Sequence, residues 1–369
     1  MTARHGRLVD HPPATPPPGP PGTLLQAKPV TASRRLGEPI AARAWQILYR
    51  SSTATGTPNA VSGTVLVPDT PLPGDRPIIT FAVGTHGFGD HAAPSALLRA
   101  GTEPEVELIA AALDRGWAVV VTDYEGLGTA GTHTYTVGTA QGHAVLDAAR
   151  AALSLPGTGL RTCCPVGVWG YAQGGQAAAF AGQLHPTYAP ELPVRAVAAG
   201  AVASDLPGII RRNDGVYTGP VLGALLGHAT AYPDLPFHDL LTDAGRAAVA
   251  ELVHLGVPDI VTRFLGTRLA DFVVDADLVE DPRWRARLAE STAGTGGPVV
   301  PTLLYHSADD EIVPFEFGER LRDSYDAAGT PVRWHPLHGL AHFPAALAGV
   351  RTVVPWLADR FAEPPGVGT

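Results

Sequence analysis

Short apolar runs rich in β-branched residues alternate along the chain with longer segments of helical period. The runs AWQILYRSS (44–52), AVSGTVLVP (60–68), RPIITFAVG (76–84), WAVVVTD (117–123), PVGVWGY (165–171), RAVAAGAVA (195–203) and VPTLLYHSA (300–308) are predicted as strands. Between and after them, residues 94–116, 141–155, 174–186, 314–329 and 344–362 are predicted as helices. This alternation predicts an α/β fold, a mostly parallel sheet covered by helices on both faces. Residues 204–295 break the rhythm: PGIIRRND, GPVLGALLGHA, DAGRAAVAELVHLG and PDIVTRFLG follow one another with no strand between them. They are expected to form a helical cap inserted into a core made of residues 23–203 and 296–369. Residues 1–22 are low-complexity and Pro-rich, and are expected to form an extended, disordered tail. No internal repeat is present.

Composition agrees with a compact chain full of turns. Of 369 residues, 42 are glycine and 36 proline, yet 45% are hydrophobic and only 17% charged, which excludes a disordered or fibrous protein. A chain of this length can bury about three quarters of its unfolded surface without metal or disulfide support. The 26 basic and 35 acidic side chains leave a net charge of −9, and Lys and Arg gather in nothing larger than a pair such as Arg211 and Arg212, so no nucleic-acid partner is expected. The two cysteines, Cys163 and Cys164, are neighbours, too strained for an ordinary cross-link, and imply no disulfide framework. The opening residues lack the apolar stretch of a secretion signal, and no run approaches the ~18 residues of a membrane helix. The expectation is a cytoplasmic protein with no stable membrane insertion.

Candidate chemistry is concentrated in VGVWGYAQGGQAAAFAGQL (166–184). A β-branched strand leads into Gly170-Tyr171-Ala172-Gln173-Gly174 and then a small-residue helix, the strand-turn-helix setting of G-x-S-x-G with alanine at the serine position. Glycines there let a nucleophile stand above the sheet, while the helix start aims N–H groups at a developing oxyanion. The remaining members of a nucleophile-acid-histidine order follow downstream. After VPTLLYHSA comes Asp309-Asp310-Glu311-Ile312-Val313-Pro314, then WHPLHGLAHFPAA with His335, His338 and His342. Asp310 is read as the acid, with Asp309 its rival, and His342 as the base. The three histidines have the spacing of a helical metal face, but Pro336 and Gly339 break that helix, so neither metal nor cofactor is expected. His306, at a strand end, is read as structural. Asp123, Tyr124 and Glu125 follow the carboxyl end of a strand and would border the pocket, although Asp123 could equally cap the next turn.

With these motifs in order, the chain resembles the secretory lipases (lipase A type) of the α/β-hydrolase superfamily. The likeness runs from about Gly22 to Ala362 and rests on AKPV…AARAWQILYRSSTATGTPNAVSGTVLVP, GTHGFGDHAAPS, DYEGLGTAGTHTYTVG, GYAQGGQAAAFA, DDEIVPF and GLAH. The resemblance implies an α/β-hydrolase fold, a small-molecule ester or acylated substrate, and triad roles for Asp310 and His342. It also implies an oxyanion hole built from an N–H near His86 in residues 84–87 and from that of Gln173, with Thr85, Tyr171 and Tyr124 lining the pocket. Two positions depart from the family pattern: Ala172 replaces the serine, and Ala92 stands where relatives often carry a cysteine.

Three readings follow from Ala172. If alanine replaces a serine, the serine form is an esterase, lipase or acyltransferase acting on an apolar acyl ester, and Ala172 inactivates it. If alanine is native to the chemistry, His342 and Asp310 could remove a proton α to a carbonyl and eliminate a carboxylate such as acetate, making the chain a biosynthetic lyase. The third reading is a binding protein without catalysis.

Overall fold

The computed structural model describes residues 16–72 and 74–363. Among the described residues there are eleven strands: β1 Leu24–Val30, β2 Ser33–Arg35, β3 Glu38–Pro39, β4 Ala42–Ser52, β5 Pro58–Pro68, β6 Ile78–Ala82, β7 Ala118–Thr122, β8 Val166–Tyr171, β9 Val194–Gly200, β10 Thr302–Ser307 and β11 Val332–Leu337. Nine of them make one sheet in the order β1-β4-β5-β7-β6-β8-β9-β10-β11, while β2 and β3 pair separately. The pairings from β7 through β11 are parallel; those among β1, β4, β5 and β7 are antiparallel. Central strands such as β7 (AVVVT) and β8 (VGVWGY) are buried along their whole length, which is why they read as unbroken apolar runs.

The core helices are α1 Pro94–Ala100, α2 Val106–Leu113, α3 Gly138–Ser154, α4 Gln173–Tyr188, α11 Phe315–Ala327 and α12 His342–Ala362. Between β9 and β10 lie α5 Leu206–Asn213, α6 Thr218–Ala231, α7 Phe237–Leu240, α8 Asp243–Leu252, α9 Val257–Arg263 and α10 Pro282–Glu290. This second layer has its own core, in which Phe237 meets Trp284 and Phe264 meets Phe272 edge-on.

The seven predicted strands all form, but four further strands were not foreseen. β1 and β11 are sheet edges whose half-exposed faces carry Lys28 and Arg333, so they lack the continuous apolar signal of the centre. β2 and β3 are too short to show a period. The single helix expected over 94–116 is two, because Gly101 turns left-handed (φ 72) and closes α1 onto Leu97. Of the expected Pro-rich tail, residues 1–15 lie outside the described residues. Residues 16–22 are ordered against the core: Arg50 donates to the Pro17 carbonyl at 2.7 Å, and the Gly22 N–H donates to the Arg50 carbonyl at 2.7 Å. Proline cannot donate, but its carbonyl still accepts, which is how this segment is tied down.

Candidate active site

The turn between β8 and α4 is drawn tight by contact with two neighbouring strands. A Cβ on Gly174 would stand 1.9 Å from the Ala82 carbonyl oxygen, so no other residue fits there. At the tip, Ala172 has φ 56 and ψ −118, a conformation costly for any residue with a side chain, and its N–H donates to the Gly200 carbonyl at 3.0 Å. Gln173 begins α4, so its N–H is one of the four that a helix leaves without an intrahelical partner. Tyr124 after β7 (φ 63) and Ala201 after β9 (φ 41) are also left-handed, so strain gathers at the carboxyl ends of three strands in the middle of the sheet.

His342 opens α12, and its imidazole Nδ1 lies 2.7 Å from Asp310 Oδ2. Asp310 Oδ1 accepts from the N–H groups of Ile312 (2.9 Å) and Val313 (2.8 Å), and His306 Nε2 stands 3.4 Å from Oδ2. Burial alone would push this carboxyl up. The hydrogen bonds from His306 and His342, with the N–H of Val313, outweigh burial and hold it well below the usual carboxylate range. The His342 backbone is fixed at both ends: its N–H donates to Glu311 Oε2 and its carbonyl accepts from the Tyr171 hydroxyl, each at 2.9 Å. The Tyr171 ring, one residue before Ala172, lies 5.0 Å from the His342 ring.

Asp309, the rival acid, accepts from the Gly339 N–H at 2.6 Å and so braces the histidine loop from outside. His335 meets Thr352, His338 is exposed in the loop, and only His342 reaches Asp310, so the three histidines share no face. His306 does more than pack, since it contacts both Asp310 and the Val313 carbonyl. Asp123 is fully buried and accepts from Ser62 and Ser95, which makes it a brace between β5 and α1.

The loop after β6 is built on buried charge. His86 Nδ1 lies 2.9 Å from the Gly84 carbonyl and Nε2 lies 3.0 Å from both Glu103 oxygens, so both ring nitrogens donate and the ring is an imidazolium. Burial opposes that charge, but Glu103 overcomes it and takes His86 up to about 9. Glu105 accepts from the Gly84 N–H at 3.0 Å, and burial raises it to about 7. The His86 side chain therefore braces the loop and is not free to meet a ligand. Thr85 Oγ1 pairs with the Tyr135 hydroxyl at 2.9 Å, and the Tyr124 hydroxyl donates to the Val83 carbonyl at 2.9 Å, so Tyr124 fixes the strand end from below. The Glu103 and Glu105 partnership has no sequence motif and was missed.

A second missed network lies under the elbow. Gln173 Nε2 donates to Gln141 Oε1 at 2.7 Å and to His133 Nε2 at 3.2 Å, while His133 Nδ1 donates to the Glu125 carbonyl. Gln141 donates to Gln176, which donates to the Ser291 carbonyl, and His228 of α6 meets the Ser291 hydroxyl at 3.1 Å. Burial lowers His133 and His228 to about 4, so both stay neutral. Among the described residues no cluster of His, Cys, Asp or Glu is placed to hold a metal ion, and no helix is long and apolar enough to cross a membrane.

The solved structure of Candida antarctica lipase A in its closed state superposes with a TM-score of 0.82, covering 92% of this chain and 82% of that one at 22% identity. A mutant of the rice cell wall degrading esterase LipA from Xanthomonas oryzae gives 0.76, covering 93% and 100% at 22% identity. These show that the fold is that of the α/β-hydrolases. Among curated proteins, one from Mycobacterium tuberculosis named "Probable inactive lipase" is 30% identical over 94% of this chain and 79% of its own length. Lipase A of Arthroderma benhamiae is 30% identical over 94% and 78%. The family described as secretory lipase matches residues 92–369, and the chain belongs to that family.

Proposed function

We propose that the elbow at Ala172, with His342, Asp310 and the loop of residues 84–87, is an acyl-ester site on a serine-hydrolase scaffold, one in which serine at residue 172 would restore covalent catalysis. The observation that carries this is Ala172 itself, held at φ 56 on the elbow beside an intact His342–Asp310 pair. A methyl group cannot form an acyl-enzyme. With serine there, His342 would take the hydroxyl proton, Asp310 would orient the imidazole, and the Gln173 N–H with the backbone of residues 84–87 would hold the oxyanion. The second layer packs on the loops near the site through an apolar cluster that includes Phe88, Tyr135, Val221, Leu222 and Leu225, which suits an apolar acyl ester of a small molecule.

The mycobacterial relative's name, an inactive lipase, is in keeping with a chain that lacks the covalent route. Elimination of a carboxylate has no observation of its own in its favour, since the pair it would use serves the ester reading equally and the relatives are named as lipases. The test is Ala172→Ser assayed with p-nitrophenyl esters of increasing chain length. A gain in kcat of about 10² or more over the parent is expected. A folded serine variant with no gain would overturn the reading.

A further inference from the structure

We infer that the chain with alanine at residue 172 is itself a slow hydrolase of activated acyl esters, in which water attacks the acyl carbon directly and His342 is its general base. The inference rests on the ester-site reading above. It differs in needing no change to the chain.

The base, the acid and the oxyanion donors stand in place without a serine. Asp310 is fully enclosed and receives donors at both oxygens, so it cannot swing away for want of a nucleophile to serve. Its bond to Nδ1 places the His342 proton there and leaves the Nε2 lone pair without a partner among the described residues. The ring cannot drift, because the His342 N–H and carbonyl are held by Glu311 and Tyr171. The Gln173 side chain is drawn down to Gln141 and His133, so it does not fold over its own N–H at the start of α4. The loop of residues 84–87 is held by the buried His86–Glu103 pair. Ala172 keeps a strained φ where the fold asks only for a turn. Its methyl group is one oxygen smaller than the serine side chain, and the attacking water would take the place of that oxygen and give its proton to Nε2 of the ring that lies 5.0 Å from the neighbouring Tyr171 ring.

The step balances with solvent as the only co-reactant. The water oxygen forms a bond to the acyl carbon, the carbonyl π pair moves onto oxygen, and the water proton passes to Nε2. When the tetrahedral intermediate collapses, the bond to the leaving group breaks with its electron pair, and the leaving oxygen or sulfur takes the proton from Nε2. The products are a carboxylic acid and an alcohol or thiol. Because no acyl-enzyme forms, aryl esters and thioesters, whose leaving groups depart readily, are the substrates this route favours.

The experiment follows p-nitrophenyl butyrate and a phenyl thioester with the unaltered chain, with His342→Ala and with Ala172→Ser, in stopped flow and by intact mass after acid quench. The unaltered chain is expected to exceed the buffer rate by about 10³-fold, with no burst and no acyl adduct. His342→Ala should lose about 10²-fold of that rate, and Ala172→Ser should show a burst and an adduct. If His342→Ala does not fold, His342→Gln is read in its place. Hydrolysis absent from the unaltered chain but present in Ala172→Ser overturns this inference and leaves the ester site standing. Both proteins inert overturns both. An acyl adduct on the unaltered chain, or an unchanged rate in a folded His342 variant, also overturns it.

Discussion

Replacing Glu103 with glutamine removes the only carboxylate bonded to the buried His86 ring, and the consequence can be worked out in sign and size. His86 stands at about 9 in the folded chain against an ordinary 6.5. The folded state therefore binds the extra proton, and the stability it contributes is fully present below 6.5 and is lost as pH rises through 9. At about 1.4 kcal/mol per pH unit of difference, the whole contribution is about 3 kcal/mol. About 2 kcal/mol of it should disappear between pH 7 and 9. Glu105, raised to about 7, pulls in the same direction but has finished titrating near the start of that window. Urea unfolding at pH 7, 8 and 9 reads the loss directly. Glu103→Gln should cost about 3 kcal/mol at pH 7, the penalty of a buried charge without its partner, and should flatten the slope between pH 7 and 9. A parent protein equally stable at pH 7 and 9, or a Glu103→Gln variant that keeps the full slope, would refute the imidazolium assignment.

Ala172→Gly should raise stability by about 1 kcal/mol and the thermal midpoint by about 2 °C, since glycine accepts φ 56 at little cost but adds chain entropy to the unfolded state; a lower midpoint by calorimetry would mean the elbow stores no strain. Gly174→Ala should yield little folded protein, because its Cβ would fall 1.9 Å from the Ala82 oxygen, and a variant matching the parent in denaturant would contradict the close approach. On the acid side, His228, lowered to about 4 from 6.5, binds a proton more readily when unfolded, so its contribution is present above 6.5 and lost as pH falls through 4. His228→Gln should therefore remove about 3 kcal/mol of the stability difference between pH 6.5 and 4, and an unaltered acid limb would count against a neutral buried ring.

How much of this the sequence discloses depends on where a residue's partners lie. Val119, Val120 and Val121 are buried on both faces, and such a run announces a central strand by itself. The elbow was legible because steric necessity puts glycine at fixed offsets within one short segment. Asp310 and His342 were legible because loop position and order in the chain carry information. Glu103, Glu105, His133 and Gln141 were not, because each is defined by a contact across the fold that leaves no local period or spacing. β11 was hidden inside the histidine-rich segment by Pro336, which an edge strand tolerates where a central one would not. His86 was placed in the right loop, with bracing of that loop as open as contact with substrate: the side chain goes into holding the backbone, and Glu103, seventeen residues on, explains why.

The cap and the loop after β6 share backbone hydrogen bonds: Phe88 and Gly89 both donate to the Leu255 carbonyl, at 2.9 and 3.1 Å, and Val257 donates to the His86 carbonyl at 2.9 Å. A cap joined in this way cannot lift off as one rigid plate without first breaking a miniature sheet at the rim of the site. The stretch around residues 255–257 is tied to the loop of residues 84–89 by these bonds and by the pairing of Gly87 with Gly256. A shift of this stretch would reach the backbone of residues 86–89 directly, next to the N–H groups that the proposed site would use.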